Sequence, residues 1–287
     1  HAKAMGKDRF EIFTADLRKN ALFRSTLEND MRKAIEQEEF FLQYQPITEL
    51  DTGKITGFEA LLRWQHPRLG IIPPAQFIPL AEETGLIIPL GYWVLDNACQ
   101  QISEWQARFP AYPPLKINVN ISGKQLMEAK FAQKMDLLLQ KRCISGDCLS
   151  LEVTESTVMQ DTEAVSLIFK QLKELGISVH MDDFGTGYSS LGYLQRFPMD
   201  VIKIDRSFIE TLKAEDKESG LVRAIIFMAQ ELGIKVVGEG IETSEQMAIL
   251  SELGCDYGQG FLISYPLNSD AAGKLLDEHL LSKKVDG

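Results

Sequence analysis

The sequence predicts an α/β fold, a TIM-type (β/α)8 barrel preceded by an N-terminal linker helix, and two observations lead to this prediction. From Phe40 onward, short β-branched or apolar runs alternate with amphipathic helical segments, as in a parallel sheet connected by helices. The segment 40–287 also has roughly the 250 residues that one such barrel occupies. We therefore expect a barrel over residues 40–287, a linker helix over 15–39 and a separate short tail over 1–14.

The linker helix comes first along the chain. Leu27, Met31 and Ile35 recur on one stripe of residues 15–39, as in a helix that packs on one face. Short apolar runs then predict eight strands, at Phe41–Ile47, Ile55–Leu62, Leu115–Ile121, Leu149–Thr154, Ser178–Asp182, Val201–Ile204, Lys235–Gly238 and Gly260–Ile263. Amphipathic segments predict helices at Ala75–Glu83, Leu90–Arg108, Lys124–Lys141, Thr162–Leu175, Ser189–Arg196, Gly220–Leu232 and Ser244–Leu253.

The composition excludes several classes of protein. The chain has 287 residues, 45% hydrophobic and 25% charged, as in an ordinary globular protein rather than a disordered one. No apolar run approaches the roughly 18 residues of a membrane span. The formal net charge is −11, so we expect no binding of DNA or RNA duplexes, and an anionic ligand would need local cations.

The cysteines suggest a reducing compartment. Cys99, Cys143, Cys148 and Cys255 are scattered without a Cys-x-x-Cys pair, and no signal peptide precedes them. We therefore expect reduced thiols, no zinc site and a cytoplasmic location, which still allows a membrane anchor in a longer parent protein.

Polar residues lie on the strand faces that a barrel turns inward. In the run 116–121 the Ile and Val side chains face the helices, which turns Asn118 and Asn120 into the barrel. The same alternation turns further polar residues inward: Lys116, Glu152, His180, Asp182, Lys203 and Asp205. Glu59 and Glu239 also end strands, at the rim where such barrels build their active sites.

Carboxylates gathered at this rim would repel one another. Any one of them could be in an ion pair or exposed to solvent at the end of its strand. Lys203 alone, however, cannot offset the negative charge of the whole group. The set predicts one or two hard divalent cations, Mg²⁺ or Mn²⁺, because all its donors are oxygen atoms. The expected ligands are Glu59, Asn120, Glu152, Asp182, Asp183 and Glu239. Two such ions support displacement at phosphorus.

A glycine-rich run offers a competing interpretation. Gly185-Thr186-Gly187 follows a strand, and Asp205 ends the next strand, as in a dinucleotide-binding fingerprint of a nicotinamide oxidoreductase. However, Ser190 occupies the third glycine position, and Asp182 beside the run would repel a pyrophosphate. A flexible loop that gates the neighbouring aspartates is the favoured interpretation.

Several blocks of sequence point to a known family. The segment Glu59-Ala60-Leu61-Leu62-Arg63-Trp64 resembles the signature of the EAL family of bacterial cyclic di-GMP phosphodiesterases. Further blocks similar to that family follow in order, at Phe77–Gly85, Asn120–Ser122, Glu152–Glu155, Asp182–Leu191, Lys203–Asp205, Glu239–Thr243 and Gln259–Gly260. The resemblance covers about Phe40 to the last residues. It implies a barrel enzyme that hydrolyses cyclic di-GMP to linear pGpG in second-messenger signalling.

The resemblance implies catalytic roles for matching residues. The family's metal ligands fall on the same six residues that strand alternation selects. Lys203 is implied to activate water and stabilise charge, and Glu239 to be both a ligand and a proton acceptor. Whether Lys203 is neutral or cationic there stays open. Ca²⁺ is expected to bind but to inhibit turnover, because it tolerates loose geometry.

The resemblance also implies substrate and regulatory residues. Substrate contacts are implied at Gln45, Leu62, Arg63, Asp205 and Gln259. Glu155 and Glu242 resemble the residues that hold the loop after Asp183, whose position in this family is coupled to dimerisation, so a homodimer is expected. Phe261 and Tyr265 depart from the family pattern near the substrate end of the last strand. A catalytically inactive receptor for cyclic di-GMP is the alternative function.

The first residues resemble a different domain. The segment from Ala2-Lys3 to Phe10-Glu11-Ile12-Phe13 is similar to the C-terminal tail of a GGDEF diguanylate cyclase domain. This resemblance implies a parent protein with an upstream GGDEF domain and further sensor domains, whose signal the linker helix would transmit.

Overall fold

A computed structural model describes residues 15–110, 112, 114–160, 162–186, 197–212 and 219–285. Within these ranges nine strands form one sheet. The strands are β1 (Phe40–Glu49), β2 (Ile55–His66), β3 (Gly70–Ile72), β4 (Lys116–Asn120), β5 (Leu149–Thr154), β6 (Ser178–Phe184), β7 (Val201–Ile204), β8 (Lys235–Gly238) and β9 (Tyr257–Gly258).

Helices precede, connect and follow the strands. They are α1 (Ala15–Ala34), α2 (Pro74–Thr84), α3 (Ile87–Arg108), α4 (Gly123–Leu126), α5 (Phe131–Arg142), α6 (Glu155–Gln160), α7 (Thr162–Glu174), α8 (Arg206–Glu210), α9 (Ser219–Glu231), α10 (Ser244–Glu252) and α11 (Ser269–Val285). The helix predicted at Ser189–Arg196 lies outside the described residues, and so does the tail 1–14.

Eight strands close the barrel in the order β1-β2-β4-β5-β6-β7-β8-β9, and β9 pairs back with β1. The pairs from β2 to β9 around the barrel are parallel, which confirms the predicted barrel. Strand β1 differs, because it runs antiparallel to both of its neighbours. Only residues 50–54 connect it to β2, with Gly53 at φ +65°, and this turn is too short for a crossover helix.

Two predicted boundaries are wrong. The last strand is Tyr257–Gly258 rather than Gly260–Ile263, because the chain turns at Gly260. The backbone of Ile241 packs so closely there that a Cβ on residue 260 would lie 2.2 Å from it. The helix predicted at Lys124–Lys141 is two helices, α4 and α5, since the backbone at Lys130 has a positive φ of 65° and breaks the helical path.

Two apolar clusters hold the elements together. The larger one fills the layer between the strands and the outer helices, with Ile117, Leu151 and Val179 fully buried on the outward strand faces. The smaller one joins α1 to β2 and α2, and contains Met31 and Trp64. The predicted linker helix therefore packs on the barrel wall instead of standing free. Across the described ranges, none of the helices combines the length and apolarity that crossing a membrane requires.

Candidate active site

Lys203 lies at the centre of the site and is 1% exposed. Its position in β7 turns the side chain into the barrel, as the strand alternation predicts. The ammonium Nζ lies 2.6 Å from Glu239 Oε1 and 2.7 Å from Glu152 Oε2. It also lies 3.3 Å from Asp182 Oδ1 and 3.6 Å from Glu59 Oε2. One buried cation therefore faces four carboxylates from four different strands or strand ends.

The charges of this group are strongly perturbed. Burial raises the pKa of Glu59, Glu152 and Glu239, with the neighbouring carboxylates adding to the effect. Burial opposes the charge of Lys203 as well, but Asp182 and the three glutamates outweigh it and raise the pKa of Lys203 well above its ordinary value. In the metal-free protein Lys203 is therefore cationic, and the group still carries an excess of acidic oxygen atoms.

Asp182, Asp183 and Glu239 form the part of the group best arranged for a cation. One ligand atom from each lies within 4.8 Å of the others. Asp183 has a positive φ of 54°, an uncommon backbone conformation for a residue other than glycine. Burial raises the pKa of Asp183, and the negative charge of Asp182 raises it further. Asp182 Oδ1 accepts no hydrogen bond from the described residues. A hard divalent ion fits this all-oxygen arrangement.

Amides hold Glu59 in place from two sides. Asn120 Nδ2 donates to Glu59 Oε1 at 2.7 Å, and Gln259 Nε2 donates to Glu59 Oε2 at 2.6 Å. Gln259 also donates to Gln45 Oε1 at 3.0 Å. Because Asn120 donates from its side-chain nitrogen, its side-chain oxygen could bind a metal ion. The structure thus brings Gln45 and Gln259 beside the predicted metal ligands.

Arg63 lines a neighbouring cavity. It donates from Nε to Gln43 Oε1 at 2.7 Å and from Nη1 to the carbonyl oxygen of Leu62 at 3.0 Å. The cavity has a volume of about 340 Å³ and is also lined by Asn120 and Glu152. A second cavity of about 190 Å³ is lined by Glu59, Glu239 and Gln259. Two cavities therefore adjoin the carboxylate group, one on the Arg63 side and one on the Gln259 side.

The remaining predicted residues are Asp205, Glu242 and Glu155. Asp205 accepts hydrogen bonds on Oδ1 from Ser207 N at 3.0 Å and Ser207 Oγ at 2.5 Å, which caps α8. Glu242 accepts from Arg206 Nη2 at 2.9 Å. Glu155 is buried as the first residue of α6. Most of the loop that Glu155 and Glu242 are predicted to hold lies outside the described residues.

Two interior residues received no role from the sequence. Asn118 Nδ2 donates to Glu152 Oε1 at 2.8 Å and lies 3.2 Å from His180 Nδ1. Burial, followed by the charge of Lys203, lowers the pKa of His180 to about 3, so this histidine is neutral. Strand alternation predicts that the side chains of Asn118 and His180 point into the barrel, and this pattern could have indicated their contact with Glu152.

The closed barrel and its acidic rim define a TIM-barrel protein with an oxygen-rich site at the carboxyl ends of its strands. A family model described as the EAL domain matches residues 28–266, and the chain belongs to this family.

Curated relatives share this region. The bifunctional diguanylate cyclase/cyclic di-GMP phosphodiesterase MucR of Pseudomonas aeruginosa is 41% identical over 270 residues, covering 94% of this chain and 39% of the relative. The cyclic di-GMP phosphodiesterase PdeR of Escherichia coli is 37% identical over 266 residues, with 93% and 40% covered. The chain thus spans less than half the length of these relatives.

Solved structures agree with the fold. The structure of the PaMucR phosphodiesterase in complex with c-di-GMP is 42% identical with a TM-score of 0.82, and covers 86% of this chain and 99% of that one. The EAL enzyme Bd1971 in its cAMP-bound form is 34% identical with a TM-score of 0.84, with 91% and 72% covered. The FimX EAL domain of Pseudomonas aeruginosa, at 23% identity and a TM-score of 0.76, supports the fold alone.

Proposed function

We propose that this chain is a divalent-metal-dependent phosphodiesterase that hydrolyses cyclic di-GMP to linear pGpG. The observation that carries the proposal is the contact of buried Lys203 with four carboxylates, beside the three-carboxylate group of Asp182, Asp183 and Glu239. The relatives support the substrate, because curated proteins about 40% identical are named as phosphodiesterases of this compound.

The residues that would hold Mg²⁺ or Mn²⁺, as two ions, are Glu59, Asn120, Glu152, Asp182, Asp183 and Glu239. When bound, such ions would activate a water molecule and stabilise charge at phosphorus. The excess of acidic oxygen atoms around Lys203 supports this assignment, because added positive charge would relieve their repulsion.

Lys203 and Glu239 would handle charge and protons. Lys203 would keep its proton and position Glu152 and Glu239 through its shortest contacts. Glu239, in contact with Lys203 Nζ, would accept a proton from the attacking water. The water oxygen joins phosphorus, one P–O ester bond breaks, and the leaving sugar oxygen takes up a proton. The ring of the substrate opens to the linear dinucleotide.

The two adjoining cavities would receive the substrate. We assign contacts to Gln45 and Gln259 on one side and to Leu62 and Arg63 on the other, where the guanidinium suits a phosphate. Asp205 uses one oxygen to cap α8, which leaves Oδ2 for donors on the substrate. Although the net charge of the chain is −11, the metal ions would offset the carboxylates at this rim, where Lys203 and Arg63 add local positive charge.

We further propose a dimeric regulatory arrangement. The segment 1–14 would be the tail of an upstream GGDEF domain and 15–39 the connecting helix, with the phosphodiesterase barrel over 40–287. Glu155 and Glu242 would hold the loop after Asp183 in a position that depends on a homodimer. Turnover per chain should then rise with protein concentration, and a constant specific activity would contradict this part.

Product analysis tests the catalytic proposal. Purified protein with Mn²⁺ or Mg²⁺ should convert cyclic di-GMP to pGpG, and Ca²⁺ should block turnover. Glu59→Gln should lose activity, whereas Glu28→Gln on α1 should match the wild type. Equal activity of Glu59→Gln and the wild type would contradict the assignment of Glu59 as a metal ligand. Tight binding without turnover in every metal would identify a receptor instead.

A further inference from the structure

A large cavity lies at the end of the barrel opposite the candidate active site. Its volume is about 820 Å³, within the range of small-molecule sites. Six strands contribute their first residues to its lining, namely Ile55, Lys116, Ser178, Val201, Lys235 and Tyr257. The active-site carboxylates lie at the other ends of strands in the same barrel. We call this space the amino-terminal cavity.

Aromatic rings form part of its wall. Tyr112, Tyr257 and His279 line the cavity, and the rings of Tyr112 and His279 have centroids 6.2 Å apart. Met199 and Leu280 add apolar surface beside them. Such walls suit a flat aromatic group, which can stack on the rings and leave water.

The charge of the lining is locally positive. Lys235 is paired with Asp256 at 2.6 Å, and Asp200 is paired with Lys173, which lies outside the lining. Lys54 and Lys116 also line the cavity, and neither has a carboxylate within 4 Å among the residues that the structure describes. Two exposed ammonium groups in a chain of net charge −11 therefore face one space.

The interior side of the cavity carries polar groups. Asn118 and His180 line it, and Ser178 stands at its edge. Ser150, between Asn118 and Ser178 in strand register, is completely buried, and its hydroxyl has no hydrogen-bond partner within the described ranges. Asn118, Ser178 and His180 would therefore face an occupant from the interior of the barrel.

We propose that the amino-terminal cavity is a second binding site, for a small flat aromatic anion. The rings would stack on its aromatic part, while Lys54 and Lys116 would bind its acidic group at the mouth. This site is separate from the proposed phosphodiesterase site and does not depend on that activity. Asn118 also donates to Glu152, so an occupant would lie one hydrogen bond from the carboxylate group at the other end.

Two dyes of matched shape test the proposal. 8-Anilinonaphthalene-1-sulfonate carries the acidic group, and N-phenyl-1-naphthylamine has the same rings without it. We expect the sulfonate to bind the wild type about tenfold more tightly than the neutral dye, a difference of about 1.4 kcal/mol. The double variant Lys54→Gln, Lys116→Gln should lose this difference and still bind the neutral dye. Lys33→Gln, on α1, should keep it.

A second variant locates the dyes. Thr56 lines the cavity and is half-buried, so Thr56→Trp should fill the mouth and weaken both dyes without removing a charge. Phe261→Ala, at the other end, should leave both unaffected. If the two dyes bind the wild type equally, or if Phe261→Ala removes binding while the lysine variant retains it, the proposal is overturned. The lysine variant decides the matter if Thr56→Trp does not fold.

Discussion

At the scale of single residues, Lys203 shows how the barrel uses buried charge. A lone ammonium in this interior would cost several kcal/mol, and four carboxylates offset that cost. Lys203 in turn lies between these carboxylates and offsets their mutual repulsion. Lys203 is thus both a structural counter-ion and, in the proposed reaction, a source of positive charge at the reacting phosphate.

Replacing Lys203 separates these two roles. Lys203→Met keeps much of the volume and removes the charge, so turnover of cyclic di-GMP should fall by about 10²–10⁴-fold. The metal-free variant should also melt at a lower temperature than the wild type, because the carboxylates lose their counter-ion. Steady-state kinetics and thermal melting measure the two effects. Lys33→Met, with an exposed lysine, should change neither; near-wild-type turnover of Lys203→Met would contradict the assigned role.

A second residue-scale prediction concerns Asp96 on α3. Its carboxylate accepts from Arg142 Nε at 2.8 Å and Nη2 at 2.6 Å, and from Lys141 at 3.0 Å. The hydrogen bond from Arg142 lowers the pKa of Asp96 below 3.8, so this carboxylate stabilises the fold above that pH and ceases to as pH falls through the lowered value. Asp96→Asn should therefore reduce the free energy of unfolding at pH 7 by about 1–2 kcal/mol.

Urea denaturation at several pH values checks this. The difference between Asp96→Asn and wild type should shrink progressively below about pH 4, near the ordinary pKa of aspartate. Asp51→Asn, in the exposed β1–β2 turn, provides the control and should be neutral. A deficit that is the same at pH 7 and pH 3 would show that the charge of Asp96 is not its cause.

At the scale of elements, α1 is part of the barrel wall. Leu27, Met31 and Ala34 are buried against Trp64 and Phe77. Arg24 on this helix also pairs with Glu83 of α2 at 2.7 Å, although both side chains are largely exposed and the pair contributes little. This packing connects the apolar face of α1 to β2, which carries Glu59.

Truncating its central side chain tests this docking. Met31 is fully buried, so Met31→Ala should lower the free energy of unfolding by about 2–5 kcal/mol. Lys33→Ala, an exposed position on the same helix, should change it by less than about 0.5 kcal/mol. Chemical denaturation compares them. Equal stability of Met31→Ala and wild type would mean that α1 does not dock in solution.

The elements also show what sequence patterns can predict. Strands β4 to β8 were located closely because alternating apolar residues reveal both the strand and its inward face. The reversal of β1 escaped prediction, since direction depends on the short turn before β2 and on pairing with β9. Short helices such as α6 and α8 have too few turns to show a period. Helix α11 was missed, although it packs beside β1.

In the candidate site, too, some features could be predicted from the sequence and others could not. Contacts of Lys203 with Glu59, Glu152, Asp182 and Glu239 agree with strand parity, which the sequence displays. The amide contacts around Glu59 could not be predicted, because they join side chains 61 and 200 residues apart in sequence. The positive φ of Asp183 has no signature in the pattern of residue types.

At the scale of the whole molecule, metal binding and stability should be linked. Ions that bind the folded chain and not the unfolded one stabilise it by about 2.7 kcal/mol at a hundredfold excess over Kd. Mn²⁺ should therefore raise the melting temperature of the wild type by several degrees. The double variant Asp182→Asn, Glu239→Gln should show no such rise, and EDTA should reverse it. An equal rise in both proteins would place the ion elsewhere.

The antiparallel first strand makes the two ends of the barrel chain meet. Thr48 lies in register with Gly258, and Tyr44 exchanges backbone hydrogen bonds with Leu267 at 2.7 and 2.9 Å. A contact that spans about 210 residues closes a very long loop, and such contacts slow folding. A nascent chain must then wait for its last strand before the barrel can close. Chains ending at Gly254 should remain open to protease, whereas the full chain should resist it.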